Sequence, residues 1–129
     1  MGSITLRTSG SAPVNCVWQR YADTREWSTW SPQIRRVSTD GRQRIVPGLT
    51  GTVHGPAGIA VHFVVLDVDE EERTWTWQVR WGPVTLRLEH SVTSKGTCSA
   101  TALTMRGPLP VLLTYAPLAR LALHRLVAE

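Results

Sequence analysis

TWTWQVRW (residues 74–81), Gly82-Pro83 and VTLRLEHSVT (84–93) form the stretch that decides the fold. Trp75, Trp77, Val79 and Trp81 alternate with Thr74, Thr76, Gln78 and Arg80. After the turn, Val84, Leu86, Leu88, His90 and Val92 alternate with Thr85, Arg87, Glu89, Ser91 and Thr93. Successive side chains of a strand point to opposite faces, so this period of two marks strands with one buried face. A two-residue Gly82-Pro83 loop pairs Trp81 with Val84, Val79 with Leu86, Trp77 with Leu88 and Trp75 with His90. Read as a second two-residue loop, Lys95-Gly96 leads into Thr97–Arg106 and pairs Leu88 with Leu103, Leu86 with Met105 and His90 with Thr101. Both turns place the same residues on one apolar face, as an antiparallel meander requires.

Toward the N-terminus the pattern stays β. Asp69-Glu70-Glu71-Glu72-Arg73 reads as a charged hairpin loop. The strand before it, Ile59 to Val68, is apolar on both faces. An odd-length loop points Ile59, Val61, Phe63 and Val65 inward, and an even one points His62 inward. Gly48, Gly51, Gly55 and Gly58, with Pro47 and Pro56, bracket this strand and a short one around Val53. Asp40-Gly41 is a turn signal after a strand starting at Ile34 to Val37. Further upstream, Val14, Val17, Trp18 and Tyr21 make one stripe on a short helix whose first turn is marked by Pro13. Asp23 and Thr24 suit the cap of a second short helical piece carrying Trp27 and Trp30, which Pro32 ends. Ser3–Thr8 alternates as a strand.

Beyond Gly107-Pro108 the period becomes helical. Leu112, Tyr115, Ala119, Ala122, Leu123 and Leu126 share one face, opposite Arg120 and His124, and the interior Pro117 is expected to kink the helix.

Composition narrows the class. The chain has 129 residues, 42% of them hydrophobic and 19% charged, which fits one folded domain over 1–129 and excludes a disordered chain. Of fourteen basic residues only Lys95 is lysine, and the arginines are scattered, so the formal charge of +4 reads as a solvated surface with no nucleic-acid motif. Cys16 and Cys98 have no metal or redox spacing, MGSITLRTSG has no signal-peptide pattern, and no apolar run approaches a membrane span; a cytoplasmic setting is expected. His54, His62 and His124 lack the spacing of a metal site, and no phosphate-binding, dinucleotide-binding or G-x-S-x-G motif occurs. Neither a metal nor another cofactor is expected.

The order of these elements resembles the START-like, polyketide cyclase/dehydrase (SRPBCC) superfamily of helix-grip proteins. Trp18 and Tyr21 on the first helix, then Asp23, Trp27 and Trp30-Ser31-Pro32, carry the resemblance. So do the turns at Gly48 and Gly51, Arg73-Thr74-Trp75-Thr76-Trp77, Leu88-Glu89-His90, Gly96-Thr97 and Gly107-Pro108-Leu109. It spans essentially the whole chain and implies an α+β fold. In that fold a curved antiparallel sheet wraps a long C-terminal helix, two short helices follow the first strand, and an apolar cavity lies between sheet and helix.

Within that frame the candidate ligand-binding residues are Trp27, Trp30, Trp75, Trp77, Trp81, His90, Leu103, Met105, Leu112, Tyr115 and Ala119. Trp75, Trp77 and Trp81 form one wall, and the small Ala119 and Ala122 face them from the helix. The resemblance puts Trp27 and Trp30 at the mouth. The expected partner is a small hydrophobic molecule, planar or polycyclic ones being favoured by the tryptophan wall, with the protein a monomer or homodimer. A cyclase, aromatase or dehydratase is the alternative, its pocket folding a flexible chain while His90 or Tyr115 moves protons. A protein-interaction module is a third. A lone inward histidine also has a plainer role, that of a hydrogen-bonded core group.

Overall fold

A computed structural model describes residues 2–128. In chain order the elements are β1 (Gly2–Gly10), α1 (Val14–Ala22), a 3-10 turn (Thr24–Glu26), α2 (Trp27–Trp30), β2 (Arg36–Thr39), β3 (Thr50–His54), β4 (Ala60–Asp69), β5 (Thr74–Trp81), β6 (Val84–Lys95), β7 (Cys98–Gly107) and α3 (Leu109–Leu126). Seven strands form one sheet in the order β1-β7-β6-β5-β4-β3-β2, antiparallel throughout. This is the helix-grip α+β architecture. The strand expected from Ile34 begins at Arg36, and the C-terminal helix continues as one element through Pro117.

The β5–β6 register agrees with the alternation, Trp75 lying opposite His90, Trp77 opposite Leu88 and Trp81 opposite Val84. The β6–β7 register differs by two residues: Leu88 pairs with Met105, His90 with Leu103 and Val92 with Thr101, because the loop is Gly96-Thr97, not Lys95-Gly96. Gly82 (φ 58°) and Gly96 (φ 63°) both take the first loop position, where a II′-type hairpin needs a positive φ. Lysine would be strained there, so the loop starts one residue later. A two-residue shift keeps every side chain on its face, so the inner surface is unchanged.

The open parity of β4 is settled by a bulge. Asp69 pairs with Thr74 across a four-residue loop, an even count that alone would turn His62 inward. One extra residue, Leu66, interrupts the ladder between Val65 and Asp67, after which Val65 faces Trp77 and Phe63 faces Val79. Leu66 and His62 are therefore exposed, while Phe63 and Val65 are buried.

The position of α3 is what creates space. It packs on β1, β7 and α2 and stands off the rest of the sheet. A Cβ on Gly10 would run into the Val127 carbonyl, so only glycine lets β1 approach the end of α3 this closely. The amide of Ala12 donates to that same carbonyl at 3.0 Å. From α1, the Arg20 guanidinium donates to the Leu126 and Ala128 carbonyls at 2.6 and 2.7 Å, satisfying acceptors that a helix end leaves unpaired. Among the described residues, no helix is long and apolar enough to cross a membrane.

Candidate functional site

Where α3 leaves the sheet, a cavity of about 710 Å³ opens, within the range of small-molecule sites. Its sheet side is built by Val53, Val61, Trp77, Val79, Leu86, Leu88, His90 and Leu103, and its helix side by Val111, Tyr115, Leu118, Ala119, Ala122 and Leu123. Trp30, Ser31, Gln33 and Ile34 close one end. The partly exposed Ile59 (38%), Trp81 (57%) and Leu118 (44%) mark the mouth, beside Pro56 and Pro110. At that rim Ala57 sits in the left-handed region (φ 59°), a strained conformation for a non-glycine residue. Among the described residues, no Asp, Glu, Lys or Arg lines the cavity. A shallower recess of about 290 Å³ lies behind Trp30, edged by Arg20 and Arg125. Arg20 is already engaged there by the end of α3.

Of the residues singled out in the sequence, Trp30, Trp77, Trp81, His90, Leu103, Tyr115 and Ala119 line the cavity; Trp27, Trp75, Met105 and Leu112 do not. Trp27, expected at the mouth, is 1% exposed. Its indole N–H donates to the Tyr21 carbonyl at 2.8 Å, and its ring packs on Trp75, Trp77 and Phe63 with centroids 5.0–5.7 Å apart. Trp75 belongs to the same cluster, stacked on His90 at 4.5 Å and 10°. These rings pull Trp27 inward because a buried indole gains both area and a partner for its N–H. Met105 and Leu112 are fully buried and sit on the elements that pack directly, β7 and α3. Gln33 was not anticipated: a lone glutamine after Pro32 belongs to no periodic pattern. The cavity also takes in Val79, Leu86 and Leu88, which alternation marks as inward without separating core from cavity wall, and Val53 and Val61, whose facing the sequence left open.

His90 is held in a directional chain of hydrogen bonds. The Trp77 indole can only donate, and does so to His90 Nε2 at 3.0 Å, which places the imidazole proton on Nδ1. Nδ1–H then donates to Tyr21 Oη at 3.1 Å, Tyr21 to Thr101 Oγ1 at 3.2 Å, and Thr101 to the Ser91 carbonyl at 2.8 Å. The chain begins at an obligate donor and ends at an obligate acceptor, so every proton in it has an assigned place. Burial lowers the His90 pKa to about 3 and pushes that of Tyr21 up, keeping both neutral. With both ring nitrogens engaged, this imidazole is a structural group and is poorly placed to exchange protons with a ligand.

Tyr115 is different. Its Oη accepts from Gln33 Nε2 at 2.8 Å, which leaves its own proton free, and burial raises its pKa so that the phenol stays protonated. Gln33 Oε1 is buried without a hydrogen-bond partner. Among the described residues, no group of three His, Cys, Asp or Glu is placed to hold a metal.

A curved sheet gripping one helix around an apolar cavity defines the helix-grip class. The family described as "Polyketide cyclase / dehydrase and lipid transport" matches residues 1–129, and the chain belongs to it. Among solved structures, XoxI from Bacillus cereus superposes with a TM-score of 0.82 at 16% identity, covering 98% of this chain and 94% of that one. CalU16 from Micromonospora echinospora gives a TM-score of 0.76 at 20% identity, over 97% of this chain and 71% of that one. A Thermobifida fusca protein gives 0.77 at 17%, over 97% and 93%. At these identities the likeness is one of fold. Comparison with curated protein sequences gives no match.

Proposed function

We propose that the protein binds a small, largely apolar molecule in the cavity between its sheet and α3, with planar or polycyclic shapes favoured. The observation that carries this reading is the cavity itself: about 710 Å³, uncharged, and walled by Trp30, Trp77 and Trp81. The family's description, which includes lipid transport, supports it. The free thiols of Cys16 and Cys98 fit the reducing cytoplasmic setting that belongs to the same proposal. Tryptophan fluorescence tests it directly, because three indoles line the site. A screen of apolar and aromatic compounds is expected to give saturable quenching with at least one, and a matching rise in melting temperature. Absence of quenching by every compound would overturn the reading.

Tyr115 favours a second reading, a cofactor-free cyclase, aromatase or dehydratase. It offers a neutral proton donor inside an apolar cavity that can hold a flexible chain in a reactive fold. In that case Tyr115→Phe would abolish turnover of an identified substrate while binding stayed measurable, and unchanged turnover would remove Tyr115 from the chemistry.

A further inference from the structure

We infer that the ligand is an uncharged molecule bearing an alcohol or phenol hydroxyl, held by Tyr115 and Gln33 and otherwise enclosed by apolar wall. The inference rests on the proposed binding function and specifies the chemistry of its ligand.

Three observations converge. First, the pair has at least one donor and one acceptor to spare. Gln33 Nε2 donates to Tyr115 Oη at 2.8 Å, so the Tyr115 proton is unassigned, and Gln33 Oε1 has no partner. A buried polar atom left unpaired is uncommon in folded proteins, and its natural complement is a ligand group. The two Gln33 amide atoms share one carbon, so Oε1 lies close to Oη. One hydroxyl oxygen can accept from Tyr115 and donate to Gln33, closing a three-membered ring of hydrogen bonds. Secondly, the conclusion does not depend on which way the amide is turned. With its nitrogen and oxygen exchanged, Tyr115 donates to the amide oxygen. The amide N–H then donates to the ligand, and the ligand hydroxyl donates to Tyr115 Oη. Either arrangement offers at least one donor and one acceptor, which a single hydroxyl can engage together.

Thirdly, the rest of the lining selects against charge. Among the described residues, no Asp, Glu, Lys or Arg faces the cavity. The other polar groups are largely committed: both His90 nitrogens are bonded within the protein, and Thr114 Oγ1 donates to the Pro110 carbonyl at 2.9 Å. A carboxylate or phosphate would lose its hydration with no counter-charge, a heavy penalty in an apolar site. A hydroxyl loses little and regains both of its hydrogen bonds.

A matched set of probes tests this: phenanthrene, 9-phenanthrol and phenanthrene-9-carboxylate, titrated at neutral pH against the tryptophan fluorescence of the full chain. Two hydrogen bonds of ordinary net strength give 9-phenanthrol an advantage of roughly tenfold or more over phenanthrene. The carboxylate is expected to bind most weakly. The phenanthrol-to-phenanthrene affinity ratio should fall toward one in Tyr115→Phe and, independently, in Gln33→Met. Far-UV circular dichroism and melting curves establish that each variant is folded; if one is not, the ratio in the other decides. A wild-type ratio near one, a ratio that survives the substitutions, or tightest binding by the carboxylate would overturn the inference while leaving cavity binding intact. If none of the three probes binds and the wider screen is also silent, the binding function fails and this inference with it.

Discussion

An imidazole stacked on Trp75 and bonded through both nitrogens has no water to stabilise a charge, and its proton affinity follows. His90 is neutral in the fold down to about pH 3, whereas in the unfolded chain it protonates near pH 6.5. Above pH 6.5 both states are neutral and its contribution to stability is complete. Below that, the unfolded chain gains a proton that the native state refuses, so this contribution falls by up to about 1.4 kcal/mol per pH unit until the native histidine titrates. Urea melts at pH 7, 6, 5 and 4 are expected to show that slope in the wild type and a shallower one in His90→Gln; equal slopes would refute the assignment. Tyr21 is the middle link of the same chain. Tyr21→Phe strands the His90 N–H and removes the donor to Thr101, and should cost about 1–3 kcal/mol in the same melts. None of this chain was legible from residue order. Alternation placed His90 inward beside Trp75, but Tyr21 arrives from α1, 69 positions away in sequence. Only the tertiary packing shows that His90 is a bonded core group.

Among the elements, the meander was legible because glycine-bearing turns and period-two alternation agree, and the single displacement, at Gly96-Thr97, preserved the faces. The parity of β4 was not, since a bulge has no marker in a strand that is apolar on both sides. Leu66 makes a prediction available. Deleting it removes the extra residue and leaves Phe63 and Val65 inward, so a folded protein with modest loss of stability is expected. Deleting Val64 instead moves Phe63 and Val61 to the outer face and His62 inward, and should abolish cooperative unfolding. Comparable melts for the two deletions would contradict the bulge. The docking of α3 rests on another long-range contact. Arg20→Met leaves the Leu126 and Ala128 carbonyls without their charged donor, an expected cost of about 1.5–3 kcal/mol. Hydrogen exchange should locate that loss in the last turn of α3, and protection unchanged there would refute the anchor.

At the scale of the molecule, the tryptophans divide by task. Trp27 and Trp75 stiffen the inner cluster, Trp18 ties α1 to the β4–β5 turn by donating to Glu70 at 2.8 Å, and Trp30, Trp77 and Trp81 face the cavity. The sequence pointed to the sheet wall and to the small helix residues opposite it. Gln33 was outside its reach, because a loop carries no period from which facing can be read, and Ile59 was marked inward only under one of the two loop lengths left open.

The small side chains of α3 carry one last consequence. A protein selected only to be as stable as possible would have large residues at 119 and 122, where the helix passes the cavity. Instead Ala119 and Ala122 keep the interior under-filled, which sets robustness against use. Ala119→Leu moves along that opposition: it is expected to raise the melting temperature by filling void space and to weaken binding of every ligand the wild type accepts. Two responses of opposite sign from one substitution would identify the hollow as a selected feature of the chain, one held open at the expense of firmness.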